Sequence, residues 1–227
     1  PTTGGLCDTK IMAFSAYDYA WPSVPTHFYE PFSETGPDNN CPGSGNKATK
    51  GLVMATLTNG LPLMNRSHAS ACGINTSVVT NGPQFWFDTL WKSSTGVVSS
   101  TSSAGATQLN YFHCVRMPLT LDAAGQYYSF SSSSFWPLDT VNIPAPYGKA
   151  SGMEDRKFAM HAKSAFEYVP GLKFEFKGDD DVWIFIDKKL ALDVGGQHGP
   201  NGGIINIDNL GLVEGKSYQF DMFYSER

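Results

Sequence analysis

The sequence predicts an all-β domain, and three observations carry that reading. Short segments alternate apolar and polar residues with a period of two, the pattern of a strand with one buried face. The composition is rich in turn formers, with 23 Gly and 14 Pro in 227 residues, while aromatic residues make up 13% and charged residues only 16%. Such a profile belongs to many short strands joined by loops and argues against a helical bundle. Finally, the stretch from Lys173 to Gly203 reads in sequence as strand, acidic turn, strand, hairpin, strand and glycine loop. At this length one domain spanning residues 1–227 can bury its own core, and a single domain is the expected organisation.

Taken in order, Ile11 to Tyr17 predicts the first strand, and the rest of residues 1–50 reads as an ordered loop rich in Pro, Gly and Asn. Gly51 to Leu57 is short enough to fit either a helical turn or a strand before the turn signal Asn59-Gly60. Residues 64–82 read as a surface excursion pinned by Cys72. Gln84 to Trp91 follows Asn81-Gly82-Pro83 and reads as a short helix with proline near its first turn, its aromatic residues packed on the core. Ser93 to Thr107 (SSTGVVSSTSSAGAT) offers almost nothing to bury and reads as a flexible loop.

The second half is more strongly patterned. Met117, Leu119 and Leu121, the turn Ala123-Ala124-Gly125 and the segment Tyr127 to Phe130 form a hairpin signal. Phe158 to Tyr168 is the longest alternation and predicts a sheet strand. Tyr218, Phe220, Met222 and Tyr224 alternate with polar residues and give the last strand. The chain then ends at Ser225-Glu226-Arg227, so this strand is expected to lie open at a sheet edge. Residues beyond Arg227 or a neighbouring subunit would complete it by strand addition.

The densest chemistry lies between Lys173 and Gly203. Phe174 and Phe176 alternate with charged residues, and Gly178 ends that strand. Asp179, Asp180 and Asp181 follow, and then the apolar run Val182 to Ile186 predicts a buried strand. Adjacent like charges repel, so three carboxylates on one connection are costly unless water or a cation relieves them. Asp187-Lys188-Lys189 reads as a hairpin turn, Leu190 to Val194 as another strand, and Gly195 to Gly203 as a loop with five glycines. Glycine lets a backbone take unusual paths or approach another group closely.

Charge and cysteine usage narrow the function. The net charge is −5, and no Lys/Arg cluster is present, which argues against nucleic acid or an anionic membrane surface as partner. Neutral or cationic ligands fit better. No apolar run approaches the length of a membrane span. The chain begins at Pro1, as a secreted chain would after removal of its signal peptide. Cys7, Cys41, Cys72 and Cys114 are widely spaced, lack metal-ligand spacing and predict two disulfides with three alternative connectivities. Each bridge would stabilise by roughly 4 kcal/mol on the chain-entropy model. Asn65-Arg66-Ser67 and Asn75-Thr76-Ser77 match the N-glycosylation pattern, so Asn65 and Asn75 are candidate glycan carriers in an oxidising, extracellular setting.

The acidic turn admits three readings: solvated carboxylates, a calcium site built from hard oxygen ligands, or a glycosidase pair. The last needs two acids facing each other across a cleft, and adjacent turn residues point apart, so the protein is not expected to be an enzyme. His198 in the glycine loop is either a ligand contact or a residue that only bonds its own loop. Trp183 sits in mid-strand and is expected in the core, whereas Trp21, Trp91 and Trp136 are the candidates to stack on a sugar.

FEFKGDDDVWIFIDKKLALDVGGQHGP followed by INIDNLGLVEGKSYQFDMFYSER resembles the fibro-slime domain, and GLVMATLTNGLPL, FWFDTLW and SFSSSSFWPLD resemble its upstream pattern. The resemblance covers Gly51 to Arg227. Fibro-slime domains occur in secreted or surface proteins of slime moulds and adhesive bacteria, and are related to the protective-antigen-type lectin domain of flocculins and epithelial adhesins. The resemblance implies an antiparallel β-sandwich with long loops and one or two short helices. It also implies a Ca2+ site at Asp179 and Asp180, with Asp181 standing where those lectins usually have glycine, and with Gly195, Gly196, Gln197 and His198 alongside as ligand-contacting residues. A second loop that completes the metal site in those lectins would begin where this chain ends. The expected function is calcium-dependent carbohydrate binding in adhesion, with a glycan as partner. The alternative is a structural subunit of an extracellular fibre or matrix whose partners are other subunits.

Overall fold

The computed structural model describes residues 9–18, 48–71, 91, 111–141, 158–196 and 198–226. Within them the alternating segments form strands β1 (Thr9–Asp18), β2 (Tyr111–Leu121), β3 (Tyr128–Ser129), β4 (Phe158–Glu167), β5 (Lys173–Gly178), β6 (Asp181–Ile186), β7 (Lys189–Val194), β8 (Asn201–Asn206) and β9 (Ser217–Glu226). One short helix, α1 (Arg66–Ala71), lies in the segment read as a surface excursion, with the Asn65 side chain capping it by accepting from the His68 N–H.

Every pairing between these strands is antiparallel. Seven strands form one sheet in the order β3-β2-β1-β4-β9-β6-β7, while β5 and β8 form a separate two-stranded ribbon. The ribbon packs over β9, with the Phe174 ring 5.0 Å from Phe220 and the Phe176 ring 6.2 Å from Tyr224. The all-β antiparallel fold expected from the sequence is therefore the fold observed, with the ribbon as its second layer.

β9 is not an edge strand. It is paired on one side to β4 from Ser217 to Glu226 and on the other to β6 from Phe220 to Ser225. The expectation of an open final strand is thus corrected, because β6 occupies the position that a later strand was expected to fill. Both faces of β9 are buried from Phe220 onward. Phe220, Met222 and Tyr224 face the ribbon, and Phe223 faces the opposite core with Trp183, Phe185 and Trp91. Asp221 lies on that second face with no exposure at all, and its carboxylate accepts from Gln219 Nε2 and meets His161 Nε2 at 3.0 Å. Burying a carboxylate is tolerable only with partners of this kind.

The glycine loop is also shorter than the sequence predicts, because Gly202 and Gly203 belong to β8 and pair with Lys177 and Phe176. A Cβ on Gly202 would lie 1.9 Å from the Phe176 carbonyl oxygen. Glycine is required there for close approach of two strands, a use that reads from sequence as a loop.

The segment before α1, which the sequence left open between helix and strand, forms isolated bridges instead. Thr49 exchanges backbone hydrogen bonds of 2.6 and 3.0 Å with Gly195, and Leu190 N–H donates to the Ala55 carbonyl. The outer edge of β7 is thereby covered in part. Between these contacts Asp193 holds both sides, accepting from Gly51 N–H at 2.7 Å and from Trp183 Nε1 at 3.0 Å. Burial pushes the Asp193 carboxyl above the usual carboxylate range, against the opposing effect of those two donors.

Trp91 is buried against Trp183 and Phe223, so it packs in the core and cannot serve as a sugar platform. Trp183 is buried, as its mid-strand position predicts, and Trp136 is half-buried. Cys7, Cys41, Cys72, Asn75, Trp21, Gln197, all but Trp91 of the helix expected over residues 84–91, and the loop over residues 93–107 lie outside the described residues. Cys114 carries a free, exposed thiol. No helix among the described residues is long and apolar enough to cross a membrane.

Two outcomes are expected. Phe223→Ala should cost about 3–5 kcal/mol, because a fully buried ring leaves a cavity between three aromatic neighbours. Ile11→Ala, at a side chain 58% exposed, should stay within about 0.5 kcal/mol; denaturant titration of both variants is the check. For Asp193, the raised folded-state pKa means that the folded protein holds the proton more tightly than the unfolded chain. Its contribution to stability is present in acid, below the unfolded carboxyl pKa, and is lost as pH rises through the raised value. Asp193→Asn lacks this loss, so its stability relative to wild type should increase with pH over that window, read from melting curves across the acidic range.

Candidate functional site at the acidic turn

Gly178 ends β5, and the next two residues carry the chain from the ribbon to the main sheet. The acidic turn is therefore a crossover between layers rather than a hairpin. Asp180 takes a left-handed conformation with φ of 53°, unusual for a residue with a side chain and tolerated best by Asn and Asp. Asp181 opens β6 opposite Ser225 of β9. Asp179 stays exposed, whereas Asp180 and Asp181 are 4% and 1% exposed.

The loop after β7 is stitched to this crossover. Gly195 sits where a Cβ would lie 2.9 Å from Leu52 and 3.1 Å from the Thr49 carbonyl, and Gly196 has φ of 87°. Both glycines are thus forced, one by crowding and one by conformation. Gly196 N–H donates to Asp181 Oδ1 at 2.6 Å, and His198 N–H donates to Asp180 Oδ1 at 3.3 Å. His198 is buried, and its Nδ1 is 2.8 Å from the Gly199 carbonyl oxygen. A carbonyl can only accept, so Nδ1 donates in this contact. Nε2 is buried without a hydrogen-bond partner among the described residues.

A fourth carboxylate joins the site from the far end of the chain. Glu226, 8% exposed, accepts a hydrogen bond from the Tyr224 hydroxyl. Burial raises the Tyr224 pKa well above the ordinary phenol value, and the charges of Glu226, Asp179 and Asp180 push it further in the same direction. The contact of the Tyr224 hydroxyl is with Glu226, at the end of β9 beside Asp181. The Tyr224 ring meanwhile packs against Phe135, Phe158 and Phe176.

The structure therefore fastens Asp180 and Asp181 to the loop at His198 and Gly196, with Asp179 exposed beside them. It adds Tyr224 and Glu226, which no local pattern marks: a tyrosine and a glutamate closing an alternating strand carry no sign of what lies across the sheet. Asn65 is half-exposed and engaged as a helix cap, away from this cluster. Among the described residues no three His, Cys, Asp or Glu side chains converge in a metal-holding group.

The chain is similar to several psi proteins of Dictyostelium discoideum. It is 44% identical to psiN over 115 residues, covering 44% of this chain and 15% of psiN. Against psiG the identity is 38% over 120 residues, covering 49% of this chain and 17% of psiG. Against psiC it is 31% over 214 residues, covering 90% of this chain and 38% of psiC. The chain thus spans well under half the length of each of these relatives. No family model matches it. A solved anti-sigma factor domain-containing protein aligns with 53% of the chain at 14% identity and a TM-score of 0.25, too loose a likeness to carry an argument.

The two buried aspartates should separate from the exposed one on mutation. Asp181→Ala leaves the Gly196 N–H without its acceptor and should cost about 1–3 kcal/mol, while Asp179→Ala should change stability by less than about 0.5 kcal/mol. Equilibrium unfolding of the two variants reads the difference directly.

Proposed function

We propose that this protein is a secreted or cell-surface domain that binds carbohydrate through Ca2+ and serves adhesion. The observation that supports this reading is the burial of Asp180 and Asp181 at the crossover, where they fasten the glycine loop and where Asp181 lies across from Ser225, next to Glu226. Carboxylates collected in this way repel one another, and a hard divalent cation relieves that repulsion while accepting further oxygen ligands. Asp179 and Asp180 would hold the ion, with Glu226 at its side. Asp181 is engaged by Gly196 and positions the loop. Bound calcium would supply a positive centre to which sugar hydroxyls add as ligands.

The fibro-slime resemblance points the same way and supports the extracellular setting, as do the two sequons. One observation favours a second reading. Asp180 and Asp181 each use an oxygen to fasten the glycine loop, which is also what a purely structural staple in a fibre or matrix subunit would do.

Calcium titration with a glycan array separates these readings. Under the first, sugar binding is abolished by a chelator and restored by calcium, and Asp180→Asn weakens calcium binding by roughly tenfold or more through lost ligand charge. Asp187→Asn, in the β6–β7 hairpin turn, should leave calcium binding unchanged. Absence of both calcium and glycan binding, together with polymer formation, would establish the structural subunit instead.

A further inference from the structure

A groove of about 620 Å³ lies between β7 and β8, lined among others by Lys50, Leu192, Asp193, Asn201, Gly203 and Ile204. Its size falls within the roughly 300–1,000 Å³ range of small-molecule sites. We infer that this groove is a subsite for the further rings of a neutral oligosaccharide whose first ring sits at the acidic turn. The inference rests on the carbohydrate reading above and extends it to residues outside the metal-binding turn.

Charge comes first. The charged side chains of the lining are one lysine and one aspartate, so they cancel, and a neutral ligand is matched. The polar groups are mostly donors. Asp193 already accepts from Trp183 Nε1 on one oxygen and from Gly51 N–H on the other. Asn201 uses its side-chain oxygen to accept from Gly202 N–H at 2.8 Å, which leaves its amide N–H groups for a ligand. Lys50 adds an exposed ammonium. A ligand rich in hydroxyl oxygens supplies the acceptors these groups need. Ile204, 62% exposed, offers apolar surface to the C–H face of a sugar ring.

The shape disfavours a peptide added as a strand. A Cβ on Gly203 would lie 2.7 Å from Leu192 Cδ1, so β8 already abuts a β7 side chain. An added strand needs a lane of roughly 4.7–4.9 Å to its hydrogen-bonded neighbour, and its own width besides. Position favours an extended saccharide. Asn201 pairs with Gly178, the residue before Asp179, and Val194 at the other wall leads directly into Gly195 and Gly196. Two residues of the lining are thus next to the acidic turn and its loop, one by pairing and one in sequence.

Calorimetric titration of the folded wild-type chain, in calcium and in chelator, with linear cello-, malto- and mannotetraose and with the corresponding monosaccharides tests this. At least one tetrasaccharide is expected to bind fivefold or more tighter than its monosaccharide. Lys50→Met and Asn201→Ala, both at surface positions, should abolish that gain and leave monosaccharide binding unchanged; melting curves confirm that both variants fold. If the tetrasaccharide binds in a chelator-sensitive way but ignores both substitutions, the groove is overturned and the calcium reading stands. If the substitutions weaken binding that a chelator does not touch, the groove stands and the calcium reading falls. Wild-type protein that binds none of these sugars overturns both.

Discussion

Strand β9 must be buried on both faces, and that requirement organises the rest of the molecule. A strand paired on each side and covered above and below leaves its polar side chains no access to water, so each must find a partner within the protein. Asp221 meets this demand through His161 and Gln219, and the His161 ring in turn stacks on Phe223 at 4.1 Å. Tyr224 meets it through Glu226. The apolar residues between them contact both cores, so one strand ties the ribbon side to the opposite side. Sheet order follows from this: β4 and β6 become the inner neighbours, and the edges fall to β3 and β7.

The candidate site grows out of the same constraint. β6 reaches its place beside β9 only after the chain has crossed from the ribbon, and the crossing is made by Asp179 and Asp180. The carboxylates are thus set down at the end of β9, where Glu226 already stands. Two of them hold the loop that follows β7 through Gly196 and His198. A change in charge at the turn therefore bears on the loop, and through Asn201 and Val194 on the groove beyond it. The local stability of the loop thus rests on the two buried carboxylates of the turn.

Much of this architecture was legible in the sequence. Period-two alternation located β1, β2, β4, β5 and β9, and the uninterrupted apolar run Val182 to Ile186 marked β6 as buried on both faces. The Asp187-Lys188 turn was legible too: both residues adopt positive φ, of 49° and 67°, as tight hairpins require. Besides the open last strand, two readings failed for definite reasons. Gly202-Gly203 suggested a loop because glycine is a local sign of loose backbone, yet here its missing side chain lets β5 and β8 come close. Trp91 was open to two readings, a core residue of the Gln84–Trp91 segment and a sugar platform, and long-range packing against Trp183 and Phe223 decides for the core.

What the sequence determined by itself is what depends on neighbours along the chain: which segments are strands, where the turns lie, and that three acids crowd one connection beside a glycine loop. Tertiary structure alone decided that the last strand is central, that Glu226 and Tyr224 join the acids, and that β7 and β8 leave a groove between them. The physical reason is range. Alternation and turn chemistry act over a few residues, whereas strand order is set by which apolar faces can be buried together, and Ser225 meets Asp181 only once that sheet has formed.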